Sequence, residues 1–139
     1  MKRNEPVKSI MTAAPLTVNV SQKLSEVRRL MSEQQIHHVP VVSGRKLVGL
    51  LSATDMVRLS LNAYGADVRA VDAMLDHEFT IEGAMNTELV TLKASGTVRD
   101  AAELLRGGKF HSLPVVDDDG DLLGIVTSTD LIAYLYDQY

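Results

Sequence analysis

Two short stretches bring a hydroxyl and a carboxylate to one place: "GLLSATD" from Gly49 to Asp55 and "GIVTSTD" from Gly124 to Asp130. In each, an apolar run ends at Ser52 or Thr127, and an Asp follows three residues later, just ahead of apolar residues at helical spacing. That pattern predicts a helix start with hydroxyl and carboxylate in its first turn. Two roles are open to such a pair. The side chains can cap the helix, which is the commonest use of the pattern, or they can hold a ligand that offers hydroxyl or phosphate groups. Histidines stand upstream of both stretches, in "HHVPVV" from His37 and "HSLPVV" from His111. They are either polar bridges at strand ends or contacts for an anion. A run of carboxylates, "DDDGD" from Asp117 to Asp121, lacks both the Gly after the third acidic position and the terminal Glu of a calcium loop, so it reads as a solvated turn.

The doubling extends well beyond these residues. Met11, Thr17, Ser21, Leu30, His37 and Pro40 match Met85, Thr91, Ser95, Leu104, His111 and Pro114 at an offset of 74; from Gly49 and Gly124 onward the offset is 75. A single inserted residue at a turn is what a structural repeat tolerates. Each copy predicts the same elements. Short β runs at 16–18 and 89–92 lead to Ser21 and Ser95 as candidate helix caps. Amphipathic helices follow, with Leu24, Val27, Leu30 and Met31 on the apolar face of the first, and Val98, Ala101, Ala102 and Leu105 on that of the second. Gly107 and Gly108 stop the latter. Two apolar runs split by turn residues then predict a hairpin, and the Ser/Thr-x-x-Asp stretch opens a closing helix. The unit is β-α-β-β-α. Between the copies, Val68, Val71, Met74 and Leu75 share helical spacing and predict a helical connector. The organisation is a first repeat at 7–62, a connector at 63–79 and a second repeat at 80–139.

Composition narrows the function. The 139 residues hold no cysteine, which excludes disulfides and thiol catalysis and removes the soft ligands of a zinc site. A net charge of −4 gives no general attraction to nucleic acid or an anionic membrane. The first twenty residues show no sustained apolar core of a signal peptide, and no stretch is long enough to span a bilayer, so a soluble, cytoplasmic protein is expected. No nucleophile with its base, no catalytic carboxylate pair and no glycine-rich phosphate loop is recognisable, and no enzymatic activity is expected.

With the "IMT" and "AMN" lead-ins, the "HHVPVV" and "HSLPVV" strands and the two Gly-x-x-Ser/Thr-x-x-Asp elements, each copy resembles a cystathionine-β-synthase (CBS) domain. The chain from about Val7 to Tyr136 resembles a stand-alone pair of them, a Bateman module. The resemblance implies an α/β fold of two repeats related by a pseudo-two-fold, sheets packed together and helices outside. It also implies a regulatory module that binds AMP, ADP, ATP or another adenosyl compound in clefts between the repeats. Asp55 and Asp130 would accept the ribose hydroxyls, Ser52 and Thr127 would lie near the phosphates, and His37, His38 and His111 would reach phosphate. In similar modules the histidines and the Asp of one cleft tend to come from opposite copies, which pairs His37 and His38 with Asp130. Similar nucleotide-binding modules carry Arg or Lys near the phosphates. The imidazoles here, with Ser112 in place of a fourth, weaken the case for ATP and keep AMP, ADP and S-adenosylmethionine in play. The resemblance further implies a homodimer, and Leu59, Leu61, Leu131, Ile132 and Leu135 offer apolar surface for one. An unidentified effector protein would read the signal. The alternative is a ligand-free dimerising scaffold that binds a partner protein.

Overall fold

The computed structural model describes residues 4–139; Met1 to Arg3, the first residues of the stretch read for a signal peptide, lie outside the described residues. In chain order the elements are a 3-10 turn Val7–Ser9, β1 Thr12–Ala13, β2 Val18–Asn19, α1 Leu24–Gln34, β3 His38–Ser43, β4 Lys46–Ser52, α2 Ala53–Leu59, a 3-10 turn Leu61–Ala63, α3 Val68–Glu78, α4 Ile81–Ala84, β5 Leu92–Lys93, α5 Val98–Leu105, β6 Ser112–Val116, β7 Leu122–Thr127 and α6 Ser128–Asp137. The β-α-β-β-α order appears twice, as the repeat predicts, in a mixed α/β chain with two sheets, β2-β3-β4 and β1-β7-β6-β5. No helix among the described residues is long and apolar enough to cross a membrane.

The chain forms two compact units that do not follow the sequence repeats. One comprises Leu16–Gly44 and Val48–Leu89; the other comprises the residues up to Pro15, Arg45–Leu47 and Val90–Tyr139.

In the first of these, β2 runs parallel to β3, pairing Val18 with Val41. α1 turns Leu24, Val27 and Met31 into a core shared with Val39, Val41 and Leu51. The residue that caps α1 is Lys23, not Ser21: the Lys23 amide donates to Glu26 Oε2 at 2.8 Å, while Ser21 turns back onto Asn19. The connector is the predicted helix, α3. Asp67 caps it, accepting from the Ala70 amide at 2.9 Å. Leu75 is fully buried, and Val71 and Met74 pack against the same core; Val68 stays 58% exposed. Polar contacts fix its position on α1. Ser25 Oγ donates to Asp76 Oδ2 at 2.7 Å, and the Arg28 guanidinium grips both oxygens of Asp72.

In the other unit β5 runs parallel to β6, while β6 and β1 flank β7 antiparallel. Its core gathers Leu92, Ala101, Leu105, Leu113, Val115 and Val126. Here too the expected serine is displaced as the cap. Thr97, two residues past Ser95, accepts from the Asp100 amide at 3.1 Å and donates its own amide to Asp100 at 2.9 Å. Beyond α5, Gly108 takes the left-handed conformation (φ +75°) expected of a helix stop. The acidic run is a bonded turn, with Asp117 Oδ1 accepting the amides of Asp119 and Asp121 and Lys46 Nζ 3.6 Å from Asp121 Oδ1.

The lead-ins explain why units and repeats differ. Val7 and Ile81 occupy equivalent sequence positions, and both are fully buried, each in a core built by the other repeat's helix and sheet. β1 extends β7, with Thr12 opposite Ile125. Correspondingly, Asn86 exchanges backbone hydrogen bonds with Leu50 of β4 at 2.9 and 3.1 Å. Met11 then lies over Gly124 and Met85 over Gly49, so close that a Cβ at either glycine would collide with the thioether. The glycine that opens each Gly-x-x-Ser/Thr-x-x-Asp element is therefore required by a methionine from the other repeat's lead-in.

Candidate functional site

Each strand-to-helix junction is built in the same way. β4 ends at Ser52 with extended backbone (φ −107°, ψ 161°), and the chain turns directly into α2. Ser52 Oγ accepts from the Asp55 amide at 3.1 Å, and the Ser52 amide donates to Asp55 Oδ2 at 2.9 Å. The second junction reproduces this. Thr127 (φ −122°, ψ 168°) precedes α6, its amide donates to Asp130 Oδ2 at 2.8 Å, and its Oγ1 accepts from the Asp130 amide at 3.4 Å. All four residues thus cap helices. The capping reading holds for both aspartates, but the cap occupies one oxygen of each carboxylate.

Backbone hydrogen bonds bring the histidine of each repeat to its own helix start. The Ala53 amide donates to the His37 carbonyl at 2.8 Å, and the Ser128 amide to the His111 carbonyl at 3.2 Å. Both imidazoles are exposed, and His38 is half-buried at the start of β3. Its counterpart Ser112 is buried, 5% exposed, so the polar groups next to the strand proline differ between repeats in both type and access. The candidate residues therefore fall into two sets within the units: His37, His38, Ser52 and Asp55 in one, His111, Thr127 and Asp130 in the other. Among the described residues no group of three or more His, Asp or Glu side chains is placed to hold a metal ion.

The free faces of the two carboxylates differ. Asp55 Oδ1 accepts from Arg58 Nη2 at 3.3 Å, one helical turn along α2. At the matching place on α6 stands Ala133, which offers no cation, and the Thr127 amide and hydroxyl both donate to Asp130 Oδ2, at 2.8 and 3.2 Å. Arg58 is a residue the sequence reading passed over, although the repeat itself carried the signal: at an offset of 75 an Arg faces an Ala three residues past the Asp. Chemically, each junction offers a carboxylate at the positive end of a helix with an exposed imidazole's backbone anchored beside it, a setting for hydroxyl and phosphate groups.

The family follows from comparison with known proteins. The model of the CBS domain matches residues 7–62 and 78–137, and the chain belongs to that family. It is 31% identical over 125 residues to the CBS domain-containing protein YhcV of Bacillus subtilis, an alignment that covers 90% of this chain and 81% of that one. It is 30% identical over 116 residues to inosine-5'-monophosphate dehydrogenase of Korarchaeum cryptofilum, where 84% of this chain spans only 21% of the enzyme. Among solved structures, CBSX2 in complex with AMP superposes with a TM-score of 0.79 at 27% identity, over 97% of this chain and 99% of that one. The CBS domain pair of protein MJ0100, in complex with 5'-methylthioadenosine and S-adenosyl-L-methionine, superposes with a TM-score of 0.76 at 25% identity, over 98% and 99%.

Proposed function

We propose that the chain is a non-catalytic regulatory module that senses an adenosine compound, AMP, ADP, ATP or an adenosyl thioether or sulfonium, in the cytoplasm and passes the signal to an effector protein. The observation that carries this reading is the carboxylate held at the start of a helix at each Ser/Thr-x-x-Asp junction, where the cap contacts the strand's last amide through a single oxygen, Oδ2. An ionised carboxylate at a helix start accepts both hydroxyls of a ribose as charge-assisted hydrogen bonds, while Ser52, Thr127 and the histidines suit phosphate. The complexes of two structural relatives with AMP, 5'-methylthioadenosine and S-adenosyl-L-methionine support the ligand class.

A thermal-shift panel tests it. At least one adenosine compound should raise the unfolding midpoint saturably, since a ligand at a hundred times its Kd stabilises by about 2.7 kcal/mol. A midpoint unmoved by all of them at millimolar concentration would contradict the reading.

The second reading, a dimerising scaffold, is favoured by one observation. Val57 and Ile132, equivalent positions on α2 and α6, are 65% and 67% exposed, and Leu61, Leu135 and Tyr136 are exposed as well. Leu59 and Leu131, expected to join them, pack instead against the cores. Apolar residues repeated on the outside of both closing helices suit a second copy of the chain. Light scattering at micromolar concentration should give twice the chain mass, and the monomer mass would exclude the dimer. Sensor and scaffold differ in the thermal-shift result, not in the dimer.

A further inference from the structure

α1 and α5 are equivalent helices with different surroundings. α3 covers part of α1: Ser25, 6% exposed, donates to Asp76, and the Arg28 guanidinium grips Asp72. At the offset of 74, Ser25, Arg28, Arg29 and Ser32 become Arg99, Ala102, Glu103 and Arg106. Those four line a groove of about 300 Å³ along α5 and its C-terminal end. Ala102, small where the first repeat has Arg28, leaves the space. Arg99, Glu103 and Arg106 are exposed, and no ion pair among the described residues engages them. We propose that this groove docks an amphipathic helix of a partner protein that carries a carboxylate, a cation and a second carboxylate at i, i+3 and i+7.

The spacing follows from how α3 lies on α1. Ser25 meets Asp76 and Arg28 meets Asp72, so the contact advances along α1 as it recedes along α3. A helix laid on α5 in the same sense sets its first carboxylate against Arg106, a cation three residues on against Glu103, and a second carboxylate four residues further against Arg99. Arg99 and Arg106 lie two turns apart, about 10 Å of helix rise, which the i to i+7 spacing of the partner reproduces. The chain's own α3 carries the wrong signs, since Arg69 would face Arg106 and Asp72 would face Glu103. Its first three residues, Met-Lys-Arg, bring no acidic side chain. Alternating charge in the groove thus repels the wrong helix as well as attracting the right one. That partner is the effector of the sensor reading, which supplies its role; the docking itself is measured without any adenosine compound.

Nuclear magnetic resonance titration of the isotopically labelled full chain tests this with two peptides spanning Asp67 to Glu78, one of the chain's own sequence and one carrying Arg69→Glu and Asp72→Lys. The substituted peptide presents carboxylate, cation and carboxylate at the required spacing. At up to millimolar concentration it should shift the amide signals of residues 98–106 saturably and bind at least fivefold tighter than the unchanged peptide, because three exposed charge pairs each contribute a small factor. Arg99→Glu combined with Arg106→Glu should remove that preference, and both side chains are exposed, so the core is left intact. Equal binding of the two peptides, shifts confined to other elements, no saturable shift, or a preference that survives the double substitution would each overturn the proposal while adenosine sensing stands. A flat thermal-shift panel with the peptide preference retained would end the sensor reading alone. Light scattering of the double variant reads the remaining occupant: a mass below that of the wild type would assign the groove to a second copy of the chain and overturn the proposal, and an unchanged mass supports the partner.

Discussion

The starts of α2 and α6 have the same backbone geometry, the same hydroxyl-carboxylate cap and the same backbone tie to an upstream histidine. They differ in what surrounds that frame: Arg58 against Ala133, and half-buried His38 against buried Ser112. The shared part is what folding requires of a strand that turns straight into a helix, since the first amides need acceptors. Capping alone therefore cannot tell a ligand site from a structural motif. The residues that vary around a constant cap are where the two repeats can differ in function.

The largest expected effect lies in the glycines beneath the lead-in methionines. A Cβ at Gly124 meets the Thr12 carbonyl oxygen at 2.8 Å as well as Met11, whereas the three atoms nearest a Cβ at Gly49 all belong to the Met85 side chain. Backbone yields less than a thioether. Gly124→Ala should cost about 2–3 kcal/mol of stability and Gly49→Ala about 1–2 kcal/mol, both within the range of overpacking. Urea unfolding of the two variants measures this, and a larger cost at Gly49 would break the comparison of the lead-ins.

The caps should instead be equal. Ser52→Ala and Thr127→Ala each remove the side-chain acceptor for one helix amide, a loss of about 1 kcal/mol in either repeat. Equal losses in the same unfolding assay, combined with unequal effects of the two aspartates on ligand, would sharpen the distinction between frame and site. A cap effect confined to one repeat would undo it.

The smallest expected effect concerns pH. A phosphate beside an imidazole favours the protonated ring, so the bound state holds more protons than the free state and affinity rises as pH falls. AMP should bind a few-fold tighter at about pH 6 than at about pH 8. His38→Ser, which gives the first repeat the residue of the second, should flatten that slope. Isothermal titration at the two pH values reads it directly, and an unchanged slope would return His38 to a supporting role at the strand end.

Much of this was legible before any coordinates. The offset of 74 and then 75 located both repeats and their elements, because a duplicated pattern of apolar spacing and turn residues is itself local information. The junction residues followed from the same alignment. The helix caps were misplaced by two residues, onto Ser21 and Ser95, because a serine near a helix start bonds wherever the chain turns; Asn19 captured the first of them. The lead-in exchange was invisible for a different reason. Val7 and Ile81 look like ordinary apolar residues at the head of their own repeats, and only long-range pairing of β1 with β7, and of Asn86 with Leu50, sends them into the other core. Arg58 went unread because the histidines drew attention as the candidate cations, although its spacing from Asp55 is the one at which side chains on a helix meet.

A crystal structure of the chain grown with saturating AMP tests the central claim most directly. The account predicts adenosine density with both ribose hydroxyls within about 2.7 Å of the Asp55 or the Asp130 carboxylate, the length of a charge-assisted hydrogen bond, and the Ser/Thr-to-Asp cap at that junction unchanged. AMP bound away from both Ser/Thr-x-x-Asp junctions, or no AMP at all at saturating concentration, would contradict it.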